Sequence, residues 1–163
     1  MSKTAEFTQL ISENEGAIFK ITSVYTEDRD SQKDLYQEIV LQLWKAFDAF
    51  KGDSKKSTWL YRVALNTAIS HLRKSKKQKV MVPIDQVVLE MTETHDPVFE
   101  ERLKALYQHI RGLSSLEKGI ILLFLEDKSY EEISSITGLT VTNVATRLSR
   151  IKEKLKKRIN QEA

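Results

Sequence analysis

The side chains with most to offer chemically lie close together in the last third of the sequence. Thr142, Asn143, Thr146, Arg147 and Arg150 share one side of a segment, and Val141, Val144, Leu148, Ile151 and Leu155 share the other at helical spacing. Hydroxyl, amide and guanidinium groups in that arrangement hydrogen-bond to base edges and phosphates. No acid falls between Glu132 and Glu153, while Arg147, Arg150, Lys152, Lys154, Lys156, Lys157 and Arg158 accumulate, so this side is suited to a polyanion. Chemistry of other kinds is poorly provided for. His71, His95 and His109 have no metal-binding spacing. Asp34 and Glu38 are four apart and could meet a cation, but nearby Lys33 and the lack of a paired histidine make a poor site. The absence of cysteine excludes disulfides and thiolate metal sites. No catalytic residue, metal or cofactor is expected.

The elements that must hold this polar side are two short helices and a tight turn. Ile133 and Ile136 give the first its apolar stripe, and Gly138 stands where the chain must turn sharply. Leu139 pins the turn to the core, and the Thr140 hydroxyl is placed to cap the second helix. This is the layout of a helix-turn-helix, whose second helix enters the major groove by its N-terminal half. Such pairs also occur in helical proteins that never touch DNA; the acid-free basic face is what favours DNA.

With only five glycines and two prolines, the remainder reads as all-α. One helical region runs from Phe7 to Tyr25, and a second carries the stripe Leu35, Ile39, Leu43, Ala46, Phe47 and Phe50. Lys51 to Ser57 forms a loop, with Ser57 or Thr58 as cap for a third helix bearing Trp59, Leu60, Val63, Ala64, Ala68 and Leu72. Periodicity fades between Lys76 and Pro97, read as a linker, and Phe99, Leu103, Leu106 and Ile110 open a second helical domain. The expected layout is two small helical domains on a flexible linker: residues 1–75, 76–97 and 98–163. Charge follows the same division. Arg73 to Lys79 holds five cations and no acid, whereas Asp85 to Glu101 holds six acids and no Lys or Arg. Two basic ends with an acidic stretch between suggest two contacts with a polyanion and a linker that stays off it. No apolar run is long enough to span a bilayer, and the N-terminus lacks the features of a signal peptide, so the cytoplasm is the default expectation.

Two motifs coincide in this order. The first is Asp34-Leu-Tyr-Gln-Glu-Ile-Val-Leu-Gln-Leu-Trp44, followed by Phe50-Lys-Gly-Asp-Ser54 and Thr58-Trp-Leu-Tyr-Arg-Val-Ala-Leu-Asn-Thr-Ala68. The second is Leu113-Ser-Ser-Leu-Glu-Lys118, leading into the helix-turn-helix. Together they closely resemble the extracytoplasmic-function sigma factors of bacteria, from about Phe7 to Leu155.

The resemblance implies roles residue by residue. In the region 2-like half, Asp34, Gln37, Glu38, Leu41 and Trp44 would bind the clamp helices of the polymerase largest subunit. An apolar centre with a polar rim suits that task; the other reading places Leu41 and Trp44 in the core, and it competes most closely for Trp44. The loop Gly52, Asp53, Ser54, Lys55 and Lys56 would capture a flipped base of the minus-ten element. Lys56 stands where many members carry an aromatic, which points to a phosphate contact. A plain solvent loop is the other reading. Arg62, Asn66 and Arg73 fall on one face of the strand-separating helix, and Trp59 is either a wedge at the melted junction or core. In the region 4-like half, Thr142, Asn143, Thr146 and Arg147 would face bases of the minus-thirty-five element, with Arg150 and Lys154 on the backbone. Ala145 replaces a basic residue common in the family. The implied function is a sigma factor that directs core RNA polymerase to promoters and promotes duplex opening. Its partners would be the polymerase clamp helices and flap, promoter DNA and an anti-sigma factor. A stand-alone helix-turn-helix regulator is the main rival, and a helical nuclease a remote one.

Overall fold

The structure is a computed structural model, and it describes residues 2–50, 55–75 and 97–162. Among these residues there are seven helices and no strand: α1 (Lys3–Tyr25), α2 (Arg29–Phe47), α3 (Lys56–Ser75), α4 (Pro97–Arg111), α5 (Ser115–Leu125), α6 (Tyr130–Thr137) and α7 (Val141–Glu162). Polar side chains start most of them. Ser2 accepts from the Ala5 amide and Asp28 from the Ser31 amide, satisfying donors with no partner inside the helix. Ser114 with Glu117, and Ser129 with Glu132, form reciprocal capping boxes at α5 and α6. Helix α3 begins before the expected caps Ser57 and Thr58, and Thr58 is buried inside its first turn. Pro97, assigned to the linker, is instead the first residue of α4, a position where its missing amide hydrogen costs nothing. The remainder of that linker lies outside the described residues.

Helices α1–α3 pack on one another, as do α4–α7, and the two groups meet in one continuous apolar core running from Phe7 to Leu155. Ile18, Leu35, Ile39, Leu43 and Leu60 are completely buried in the first group, and Ile110, Ile120, Ile133, Val144, Leu148 and Ile151 in the second. Polar contacts bind the groups further. The Tyr25 hydroxyl donates to the Ser115 carbonyl at 2.6 Å, Arg111 Nε to the Ser23 carbonyl at 3.0 Å, and Lys20 Nζ lies 2.8 Å from Glu126. Gly119 of α5 lies where α1 and α3 press closest. A Cβ there would be 3.3 Å from Tyr25 Oη and 3.5 Å from Leu65 Cδ2.

Candidate polymerase and nucleic-acid interfaces

Helix α2 buries Leu35, Ile39 and Leu43 and so turns the intervening residues outward. Asp34, Gln37, Glu38 and Leu41 are all exposed, and Leu41 leaves 44% of its surface to solvent. Trp44 is half-buried. Its ring meets Phe7 edge-on at 5.0 Å, and Lys3 Nζ sits 4.0 Å above it. It therefore serves the core at least in part, and Leu41 is the apolar residue most available on that helix. Asp34 and Glu38 also form one wall of an open groove of about 530 Å3 whose other wall is α3, with Asn66, Ser70, His71 and Lys74. The structure thus brings the acidic part of the polymerase set beside Asn66 of the DNA set. Ser70 and Lys74 were not singled out from sequence, although they follow Asn66 at steps of four and so share its face.

Of the minus-ten set, Gly52, Asp53 and Ser54 lie outside the described residues. Lys55 and Lys56 are exposed at the start of α3. Trp59 belongs to an aromatic cluster, 6.2 Å from Phe47 and 5.2 Å from Phe50, and is half-buried. Arg62, Asn66 and Arg73 are exposed on α3 as expected, but Arg62 already has a partner: its Nη2 donates to the Ser135 carbonyl of α6. Next to it Tyr61 is buried, with Lys128 Nζ 5.1 Å above its ring. Burial, aided by Glu126, pushes the Tyr61 hydroxyl up to about 12, so it stays protonated near neutral pH.

Helices α6 and α7 carry the third set. Gly138 ends α6 with φ +81°, in the left-handed region, and its amide closes on the Ser134 carbonyl at 2.9 Å. The Thr140 hydroxyl accepts from the Asn143 amide at 3.1 Å, capping α7 as expected. Replacing Gly138 with alanine is expected to cost about 1–2 kcal/mol, read as a lower denaturant midpoint, because only the backbone angle penalises the new methyl group; open space surrounds that position.

Val144, Leu148, Ile151 and Leu155 anchor α7 inward. Val141 does not join them. It is 40% exposed, because the first residue of α7 lies beyond the edge of the core. Thr142, Thr146 and Arg150 face solvent, while Asn143 and Arg147 are half-buried and joined, Arg147 Nε donating to Asn143 Oδ1 at 2.8 Å. That bond orients the guanidinium through its Nε. Lys154 is exposed but pairs with Glu117 at 2.8 Å. Partial burial opposes the Glu117 charge, but the bonds from Lys154 and Ser114 outweigh it and hold the carboxyl below its ordinary range. A role for Lys154 on phosphate would require exchange of that partner.

The match to known families follows the same division. Sigma-70 region 2 matches residues 10–78, which contain α2 and α3, and Sigma-70, region 4 matches residues 103–155, which contain the helix-turn-helix. The ECF RNA polymerase sigma-E factor of Escherichia coli (strain K12) is 28% identical over 165 residues, 94% of this chain and 86% of the relative. The chain belongs to the extracytoplasmic-function sigma factors. RNA polymerase sigma factor SigV of Bacillus subtilis (strain 168) is 28% identical to this sigma factor across 86% of the chain and 82% of its own length. Among solved structures, the sigma factor RpoE in complex with the anti-sigma factor NepR from Bartonella quintana aligns with TM-score 0.74 at 20% identity, covering 95% of this chain and 97% of that one. CnrH in complex with the cytosolic domain of CnrY aligns with TM-score 0.73 at 20% identity, covering 99% and 92%. Both share the fold of this sigma factor.

Proposed function

We propose that this sigma factor, which directs RNA polymerase to promoters, divides that task between two surfaces. The exposed side of α2, centred on Leu41 and rimmed by Asp34, Gln37 and Glu38, docks on the clamp helices of the polymerase. The N-terminal half of α7 reads the upstream element as duplex. Helix α3, with Arg62, Asn66 and Arg73, and the loop Gly52 to Lys56 then hold the unpaired strand. Opening is driven by differential binding: capture of unpaired bases offsets the few kcal/mol lost in unstacking each one. The protein contributes no bond-making chemistry, which belongs to the polymerase, and it works in the cytoplasm beside it. An anti-sigma factor would be a further partner, as NepR is for the sigma factor RpoE solved in complex with it.

The observation that carries this reading is the coincidence of region 2 with an outward-facing Leu41 and of region 4 with an ordered Asn143–Arg147 pair. Run-off transcription on fragments of the source genome, with core polymerase from the same organism, tests it. Discrete transcripts should appear only when the protein is added, and Leu41→Asp should remove both transcripts and co-elution with core. Transcripts independent of the protein, or tight sequence-specific binding of a dimer to duplex DNA without polymerase, would favour a stand-alone regulator.

A further inference from the structure

We infer that Glu117 of α5 is the end-stop of the duplex track along α7, and that through Lys154 it keeps the sequence-independent grip of this helix on DNA low. This rests on the reading of α7 as the helix that meets the upstream element. Asn143, Arg147, Arg150 and Lys154 follow one another at steps of four, three and four, and so form a single stripe along the helix. The first three present an amide and two guanidinium groups. At the fourth, the stripe runs into another element: Glu117 Oε2 lies 2.8 Å from Lys154 Nζ.

Glu117 is fastened there by bonds at the start of α5 that do not involve Lys154. Its Oε1 accepts from the Ser114 amide at 3.1 Å, and its own amide donates to Ser114 Oγ at 3.3 Å, the two halves of the capping box. One carboxylate thus serves two elements, with one oxygen on the cap of α5 and the other on α7. Its side chain is only 15% exposed, against 50% for Lys154, so the acid is fixed and the ammonium can move. The bonds from Lys154 and Ser114 hold the carboxyl below its ordinary range, so its charge is present at neutral pH. Neighbouring cations also turn toward α4 and α5. Lys152 Nζ sits 4.0 Å above the Phe124 ring of α5. Arg158, the next step on the stripe, lies over Gly112, where a methyl group would be 3.1 Å from its Nη1.

The cations from Arg147 to Arg158 are therefore not one uniform phosphate grip. Lys154 can reach a phosphate. In doing so it either sets two anions, the phosphate and the Glu117 carboxylate, on one ammonium, or leaves a largely buried carboxylate without its cation. Either way that contact adds little net affinity, and the effective track ends at Arg150. Phosphate contacts carry no sequence information of their own. Cancelling one of them weakens binding to every duplex alike and leaves the side chains of Asn143 and Arg147 as they are. A sigma factor that grips duplex weakly by itself depends on polymerase for a stable promoter complex.

The test is fluorescence anisotropy of the full chain on two duplexes of equal length, one holding a promoter mapped by run-off and one of random sequence, from about 50 to 200 mM salt. Glu117→Gln keeps the capping box, because a glutamine oxygen also accepts from the Ser114 amide, and it removes the charge beside Lys154. It should tighten binding to both duplexes by about two- to fivefold. It should also steepen the fall of log affinity with log salt by about one, the mark of one added phosphate contact. Glu117→Gln/Lys154→Gln should return both quantities to their starting values. The two variants share any cost at the cap, so the difference between them decides even if helical signal falls. Glu153→Gln removes an equal charge from the exposed side of α7 and leaves the Glu117–Lys154 pair in place, so its slope should stay at the starting value. An unchanged slope in Glu117→Gln, a gain that survives in the double variant, or an equal gain in Glu153→Gln overturns the assignment. Arg150→Ala is the separate check on α7 and should make the slope shallower by about one. If it does while Glu117→Gln changes nothing, α7 keeps its role and Glu117 has none. If neither variant moves the slope, the reading of α7 falls as well.

Discussion

Replacing Arg147 with alanine is expected to abolish discrimination at one base pair of the upstream promoter element and to cost about 1–3 kcal/mol in recognition, or roughly 5- to 150-fold in promoter occupancy. The size of the effect follows from how the side chain is held. Arg147 rises from the second turn of α7, a helix fixed by Val144 and Leu148 on its inner side. Its Nε is committed to Asn143 Oδ1 at 2.8 Å. A guanidinium tethered in this way has already given up much of its rotamer freedom, so less is lost when it meets a guanine. Run-off transcription on promoters carrying each base pair in turn is the measurement. The wild-type protein should prefer one base at the affected position, and Arg147→Ala should accept all four with similar, lower output. Uniform loss with the preference retained would make Arg147 a phosphate contact. Asn143→Ala should produce a smaller version of the same relaxation, because it removes the tether and leaves the fork.

Ile133→Ala is expected to destabilise the protein by about 2–5 kcal/mol and to lower the thermal midpoint by roughly 5–20 °C. Ile133 is completely buried where α6 meets the remainder of the core. Truncating it leaves a cavity beneath the short helix that holds the turn at Gly138. Helix α6 has only 8 residues, too few to persist without tertiary support. Its loss would uncouple the cap at Thr140 and the start of α7, so calorimetry and promoter binding should fail together. A midpoint within about 2 °C of wild type would mean that the site collapses around the smaller side chain.

Most of the helical layout was legible in the sequence because the apolar stripes are regular and the turn residues are chemically specific. Leu35, Ile39 and Leu43 recur at steps of four, and Gly138 followed by Thr140 marks both a stop and a start. The polar face of α7 was legible for the same reason: once the inner stripe is set, the outer residues follow. What periodicity could not supply is which wall a stripe residue meets. Trp44 and Trp59 fit either a core or a contact surface, and only their packing against Phe7, Phe47 and Phe50 shows how much of each ring is taken up inside. Val141 fits the stripe of α7 by spacing and is exposed because the core stops short of it. The partners of Arg62 and Lys154 lie 73 and 37 residues away, beyond the reach of any local pattern. The same holds for Gly119, which reads as an ordinary blemish in an apolar run until α1 and α3 are set against it.

The distance in sequence between the two groups also fixes the order in which they can form. Tyr25 and Ser115 are 90 positions apart, and Lys20 and Glu126 are 106. During synthesis the first three helices emerge and pack long before their counterparts exist. Ile151 and Leu155 are made after every other buried residue of the described core, so the helix-turn-helix can close only once much of α7 has left the ribosome. For that interval Leu65 and Tyr25 have no helix to cover them, and Arg62 has no carbonyl to hold. The nascent protein thus passes through a state in which one side of α3 is uncovered and its own apolar flank is open to chaperones, and the late arrival of α5 and α6 ends both exposures together.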